Sequence, residues 1–264
     1  MFKFISFGSG SCGNCYYIYT EHDGLLIDVG VGTRSLKKHF GDYGLHMPGG
    51  FSSILVTHDH ADHIKSVGSL SKKLNLPVYA TRLVHSGMDN NYCMKLKLAQ
   101  VNRHYVVKGE AFEASGFHIT PFGVPHDSSD NVGYSIEYEG VVFTLLTDVG
   151  HITEEMKAII RNTDYLVIEA NYDLQMLQNG PYPRHLQERI QCGTGHLSNA
   201  QCGAALVENY TERLKHIWLC HLSEENNHPE LARQSIEQAL SDAGIKVKLD
   251  VLRRKQPTGV FELV

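Results

Sequence analysis

No apolar run in this chain reaches the length of about 18 residues needed to span a bilayer, so no membrane-spanning helix is expected. The first residues, Met1-Phe2-Lys3-Phe4, lack the succession of charged region, apolar region and cleavage site that marks a secretory leader, and a cytoplasmic location is the expectation. An excess of basic charge is also missing. The 24 Lys and Arg against 29 Asp and Glu leave a formal net charge of −5, which disfavours a dedicated nucleic-acid coat because phosphate binding needs a local cluster of cations. Six cysteines without a secretory leader do not suggest a disulfide framework. Cys12-Gly13-Asn14-Cys15 has CxxC spacing but no second CxxC to complete a structural zinc site, so a Gly/Ser-rich turn between two strands is expected there. Composition breaks, low-complexity segments and short repeats are absent as well. One domain covering residues 1–264 is therefore expected, and that length is enough for a single large core.

What is present is an alternation of short β-prone runs and helical segments. Residues 2–7, 16–19 and 25–28 read as strands, the last two joined by Asp23-Gly24, a hairpin signal. Residues 53–57 form a buried strand that runs into a histidine-rich segment, and residues 62–74 read as a helix ended by Leu76-Pro77. Strands follow at 78–80, 118–123, 133–138, 141–146, 165–169, 216–220 and 246–251, with helices at 154–160, 198–209 and 228–242. Asn179-Gly180-Pro181-Tyr182-Pro183 opens one more helical segment, and Ser198 suits an N-cap. Two strand-rich halves of similar make-up fit an α/β architecture of two mixed sheets packed face to face with helices outside.

The sixteen histidines are the anomaly, and their spacing gives it meaning. In Thr57-His58-Asp59-His60-Ala61-Asp62-His63, a strand end would put His58 and His60 on one side, while Asp62 and His63 at the start of the next helix would reach a second point beside the first. One loop then supplies up to four groups of the kind zinc and similar ions prefer. His126, Asp148 and His221 each follow a predicted strand. Singly each could be a capping or surface residue; together they suit a site on one edge of stacked sheets.

These residues, with Leu26-Ile27-Asp28-Val29-Gly30, resemble the metallo-β-lactamase fold superfamily over essentially the whole chain. The resemblance implies a four-layer αβ/βα sandwich with a binuclear site for two divalent metal ions. It assigns His58, His60 and His126 to one metal, Asp62, His63 and His221 to the other, and Asp148 to both. Asp28 resembles an acid that orients a ligand; a strand-end turn cap is the other reading. With every ligand N or O, Zn, Mn and Fe all fit. Paired metals about 3.5–4 Å apart hold a water between them, lower its pKa and stabilise charge on the attacked group, which implies a hydrolase with Asp62 among its catalytic residues. The true β-lactamases typically carry Cys or Ser where this chain has Asp148. That departure points away from lactams and toward phosphodiesters or thioesters.

Glu169-Ala170-Asn171, Gly195-His196-Leu197-Ser198-Asn199 and Leu219-Cys220-His221 resemble a succession in the tRNA-maturing zinc phosphodiesterases, where a Glu orients a His that protonates the leaving oxygen. Carried over, His196 is the general acid and Glu169 its partner. His196 as a plain helix-start residue is the alternative. Ser9-Gly10-Ser11-x-Gly13-Asn14, Tyr182-Pro183, Arg189-Ile190 and His221-Leu222-Ser223-Glu224-Glu225-Asn226-Asn227 narrow the resemblance to the YycJ/WalJ branch. That branch implies a DNA exonuclease of 5′-to-3′ type with nucleic acid as its partner. A small-molecule hydrolase acting on a cyclic phosphodiester, lactone or thioester is the competing expectation. Arg184, Arg189 and Arg253-Arg254-Lys255 are candidate phosphate contacts, and Tyr92, Tyr105 and Tyr182 candidate base-stacking groups, each also readable as ordinary surface.

Overall fold

Side-chain alternation sets the layers. Along β1 (Phe2–Gly8), Phe2 and Phe4 turn to one face while Ile5 and Phe7 turn to the other, and both faces are buried. The computed structural model describes residues 1–264 and continues this pattern through β2 (Cys15–Tyr19), β3 (Gly24–Ile27), α1 (Thr33–Asp42), β4 (Ser53–Leu55), α2 (Ala61–Ile64), α3 (Val67–Leu74), β5 (Val78–Ala80), α4 (Arg82–Asn90) and β6 (Arg103–Tyr105). The second half comprises β7 (Phe112–Ala114), β8 (Phe117–Gly123), β9 (Val132–Tyr138), β10 (Val141–Leu146), α5 (Glu154–Arg161), β11 (Tyr165–Glu169), α6 (Leu174–Asn179), α7 (Arg184–Gln191), α8 (Asn199–Asn209), β12 (His216–Cys220), α9 (Pro229–Asp242), β13 (Lys248–Val251) and β14 (Phe261–Leu263).

Two seven-stranded sheets result, ordered β14-β1-β2-β3-β4-β5-β6 and β13-β12-β11-β10-β9-β8-β7. In each, one half pairs antiparallel and the other parallel, so both are mixed. Phe4, Ile18, Leu25 and Ile27 from one sheet meet Phe117, Phe143, Val167 and Trp218 from the other. Leu36, Phe40, Val67 and Met88 cover the outer face of the first sheet, and Met156, Leu206, Ile236 and Leu240 that of the second. Helix, sheet, sheet and helix stack as the expected αβ/βα sandwich. No helix is long and apolar enough to cross a membrane.

Three expectations change. The helix expected at 62–74 is broken in two, because Ser66 donates its N–H to Val29 O at 2.9 Å and so leaves the helical ladder there. The last expected strand is not the last. The chain returns through β14 to pair antiparallel with β1, joining the C-terminus to the first sheet. The strand expected at 53–57 ends at Leu55 as β4, freeing residues 56–60 to form the histidine-bearing loop. The Asp23-Gly24 hairpin, the Ser198 cap and the turn at 12–15 lie where the sequence put them, and Ser198 forms a full capping box with Gln201.

Candidate metal centre

The chemistry-bearing residues follow the C-terminal ends of strands. Asp28 follows β3, the 58–63 loop follows β4, His126 follows β8, Asp148 follows β10, Glu169 ends β11 and His221 follows β12. Asp28, Asp148 and His221 have φ of 58°, 55° and 54°, a left-handed backbone that single non-glycine residues hold only where the surroundings insist. Three such bends at three strand ends turn the side chains inward over one rim of the sandwich.

The ten residues singled out by the sequence converge there. His58, His60 and His126 form one group of closely facing ligand atoms; Asp62, His63 and His221 form a second; Asp148 shares groups with His58 and His63 and with Glu169, His196 and His221. Asp148 Oδ2 lies 3.2 Å from His63 Nε2, while Oδ1 lies 3.7 Å from His126 Nε2, so its carboxylate stands between the two triads.

Each ligand-type histidine is held by its outer nitrogen, which fixes the tautomer. His63 Nδ1 donates to Asp28 Oδ2 at 2.7 Å, His126 Nδ1 to Gly195 O at 3.0 Å, His60 Nε2 to Asp127 O at 3.2 Å and His221 Nδ1 to Glu169 Oε1 at 3.0 Å. Thr57 Oγ1 donates to Asp28 Oδ2 at 2.8 Å, so it accepts from His58 Nδ1 at 3.0 Å. Burial holds His58 and His126 toward the neutral form, so their inner nitrogens are lone-pair atoms: His126 Nε2 and His60 Nδ1 stand 3.3 Å apart, and buried His58 Nε2 has no hydrogen-bond partner. Lone pairs facing lone pairs repel, and an orphaned buried nitrogen costs free energy. Bound cations satisfy both conditions. The donor set therefore fits divalent metals, with the outer hydrogen bonds acting as the supports that ligand histidines require.

Glu169 is fully buried and accepts from His196 Nδ1 at 2.8 Å and His221 Nδ1 at 3.0 Å, and from the Val149 and Leu197 amides at 2.9 and 3.1 Å. Burial alone would raise its pKa; the His196 imidazole and its hydrogen bond outweigh that and hold the carboxyl below its usual range. Conversely, burial would lower the pKa of His196, but the Glu169 carboxylate outweighs it and holds the imidazole above its ordinary value.

An open cleft of about 240 Å³ leads to these groups, lined by His60, Asp62, Asp148, His196 and His221 on its floor. The segment carrying α7 forms a wall and contributes Tyr182, Leu186, Arg189 and Ile190. Of the candidate phosphate contacts, Arg189 reaches the cleft, its Nε on Asp127 Oδ2 at 2.6 Å, whereas Arg184 pairs with Glu188 on the outer surface. Tyr182 lines the cleft; Tyr92 and Tyr105 do not.

Asn14, Asn171 and Asp127 carry no role in the sequence reading. Asn14 Nδ2 lies 2.9 Å from His63 Nε2 and 3.2 Å from Asp62 Oδ2; Asn171 Nδ2 donates to His221 O at 2.8 Å; Asp127 ties His60 to Arg189. Asn14 sits between Gly13, with φ of 143°, and Cys15, and a glycine-flanked Asn inside a failed CxxC was its signal. Asp28 is no simple turn cap, because its carboxylate also accepts the Thr57 amide at 2.9 Å and organises both His58 and His63.

Residues 25–217 match the Beta-lactamase superfamily domain, and the chain belongs to that family as a hydrolase of the metallo-β-lactamase superfamily. More particularly, it is 34% identical over 239 residues to the exodeoxyribonuclease YycJ of Bacillus anthracis, covering 90% of this chain and 89% of that one. It is likewise 34% identical over 250 residues to the exodeoxyribonuclease WalJ of Streptococcus pneumoniae, covering 94% and 92%. Among solved structures, zinc-bound PqqB from Methylobacterium extorquens superposes with a TM-score of 0.73 at 18% identity, over 97% of this chain and 99% of the other, a likeness of fold.

Proposed function

We propose that this chain is a two-metal phosphodiesterase that degrades DNA from an end in the 5′-to-3′ direction. The observation that carries the reading is the Glu169–His196 pair, 2.8 Å apart, whose His196 lines the same cleft as His60, Asp62, Asp148 and His221. His58, His60 and His126 would hold one ion, Asp62, His63 and His221 the other, with Asp148 between them; Zn, Mn and Fe all suit these N and O donors. When bound, such cations would lower the pKa of a nearby water and neutralise charge on the attacked phosphate.

The chain's own residues supply the rest. A departing sugar alkoxide needs a proton, and His196, whose pKa Glu169 raises, would hold one on Nε2 while Nδ1 stays fixed. Asp28, Asn14, Asn171 and Glu169 orient the groups around it. The cleft is open, and its apolar lining is confined to Tyr182, Leu186 and Ile190, which suits a charged polymer end better than a lactone or thioester sealed in an apolar pocket. The relatives named as exodeoxyribonucleases, similar along nearly their whole length, support the same choice.

The test separates the proton donor from the rest of the site. His196→Ala should slow hydrolysis of end-labelled DNA about 10²–10⁴-fold, the usual worth of general acid catalysis. The same variant should retain most activity on bis(p-nitrophenyl) phosphate, whose phenolate leaves without a proton. Equal losses on both substrates, or no DNA hydrolysis by the unaltered protein, would sink the proposal. Product order from 5′- and 3′-labelled strands, with RNA alongside, reads polarity and sugar preference.

A further inference from the structure

The cations of this chain do not sit with its catalytic carboxylates. The cleft is lined by Asp62, Asp127 and Asp148, and its one cation, Arg189, is already paired with Asp127. Beyond its rim lies a second groove of about 330 Å³ whose charged lining groups are Lys38, Arg254 and Lys255, with no carboxylate among them. Lys38 comes from α1 and the other two from the segment after β13, so residues distant in sequence assemble it.

Cleft and groove are neighbours. Ser11 lines the cleft and Cys12 the groove. Ser223 lines the cleft, and its carbonyl accepts from Arg254 Nη1 at 2.6 Å. Exposed Arg34 and Lys37 lie on α1 with Lys38, whereas Arg253 turns to a separate depression shared with Glu230 and Asp250. The opposing charges are Glu224 on the rim, which bonds Lys255 Nζ at 2.8 and 3.2 Å, and Asp42, 4.0 Å from His39; Lys38 and Arg254 have no carboxylate partner.

A chain of formal net charge −5 that gathers cations in one trough beside a hydrolytic cleft has built a local field for a polyanion. We propose that this groove carries the phosphodiester backbone of the DNA strand whose end occupies the cleft, a track that positions the strand without reading its bases. The inference rests on the phosphodiesterase reading above. It adds where the rest of the strand lies and why the polymer is bound better than a single diester.

The experiment compares Lys38→Ala/Lys255→Ala with the unaltered protein on single-stranded DNA across 50 to 200 mM salt, and on bis(p-nitrophenyl) phosphate. The expected result is a KM for DNA raised about 10-fold at low salt. The slope of log KM against log salt should flatten by about 1.4, two contacts at roughly 0.7 each for a single strand. Turnover of the small diester should not change. Lys38→Arg/Lys255→Arg should restore both DNA readouts. Lys246→Ala/Lys248→Ala, in a separate groove beside β13, should leave them alone. If DNA is degraded by the unaltered protein and the double variant shows the same KM and slope, the groove is not the track. Equal loss on both substrates also overturns it, since the lesion would then lie in the cleft. An unaltered protein that turns over the small diester but neither binds nor degrades DNA fails the phosphodiesterase-on-DNA reading itself, which distinguishes the two failures.

Discussion

The two rims of the site are built on the same plan from opposite kinds of sequence. On the first sheet, one loop delivers His58, His60, Asp62 and His63, and buried Asp28 organises it by bonding His63 directly and His58 through Thr57. On the second sheet, Asp148, His196 and His221 arrive from separate segments, and buried Glu169 organises it by bonding both His196 and His221. Each rim thus hangs on one fully buried carboxylate. The difference lies in what the carboxylate holds: Asp28 bonds His63 and Thr57, whereas Glu169 bonds His221, proposed as a ligand, and His196, proposed as the proton donor. Metal affinity and proton transfer should therefore separate by rim.

The largest effect is expected where the rims meet. Asp148→Ala removes the group between the two triads and should bring hydrolysis of both DNA and the small diester to background, with metal content falling; persistent activity would show that the rims act independently. Glu169→Gln comes next. Its neutral amide loses the charge that holds the His196 proton and, with Oε1 kept on the two imidazoles, turns an NH2 toward the Val149 and Leu197 amides, so DNA turnover should fall about 10²–10⁴-fold through His196, more than turnover of the small diester. Asp28→Asn should lower metal affinity about 10–100-fold, the usual cost of losing a ligand's support, and full activity should return when metal is added in excess. A loss that metal does not rescue would erase the distinction between the rims.

The smallest expected effect is on pH. Glu169 raises the pKa of His196 above its ordinary value of about 6.5, so the protonated donor persists above that pH and is lost as pH rises through the raised value. The alkaline limb of the DNA rate profile should therefore lie above about 6.5 and move to lower pH in Glu169→Gln. An unmoved limb would assign that ionisation to another group.

The contrast between rims also explains what the sequence disclosed. The first rim is legible because four ligand-type residues share one short loop at the end of a strand. The second consists of single residues whose strand-end positions gain meaning only when set beside a known family. Asn14 acts through a side-chain amide placed by a turn, and Asn171 and Asp127 act through backbone carbonyls, none of which leaves a periodic trace. In the fold, β6, β7 and β14 are three residues long, too short to show alternation, and α1 starts at Gly32 without a side-chain cap or an acidic first turn. The break after α2 comes from a tertiary partner, Val29 O, that no local pattern announces. Gly30 belongs to the same knot. A Cβ there would overlap Asp62 O, so the glycine lets the ligand loop pack against the end of β3.

The central claim is that two rims on two sheets close around a pair of ions. Elemental analysis of the purified chain, saturated with zinc or manganese and freed of excess, tests it most directly. About two ions per chain are expected, with fewer in Asp148→Ala. One ion or none bound by the unaltered protein at saturation would contradict the account.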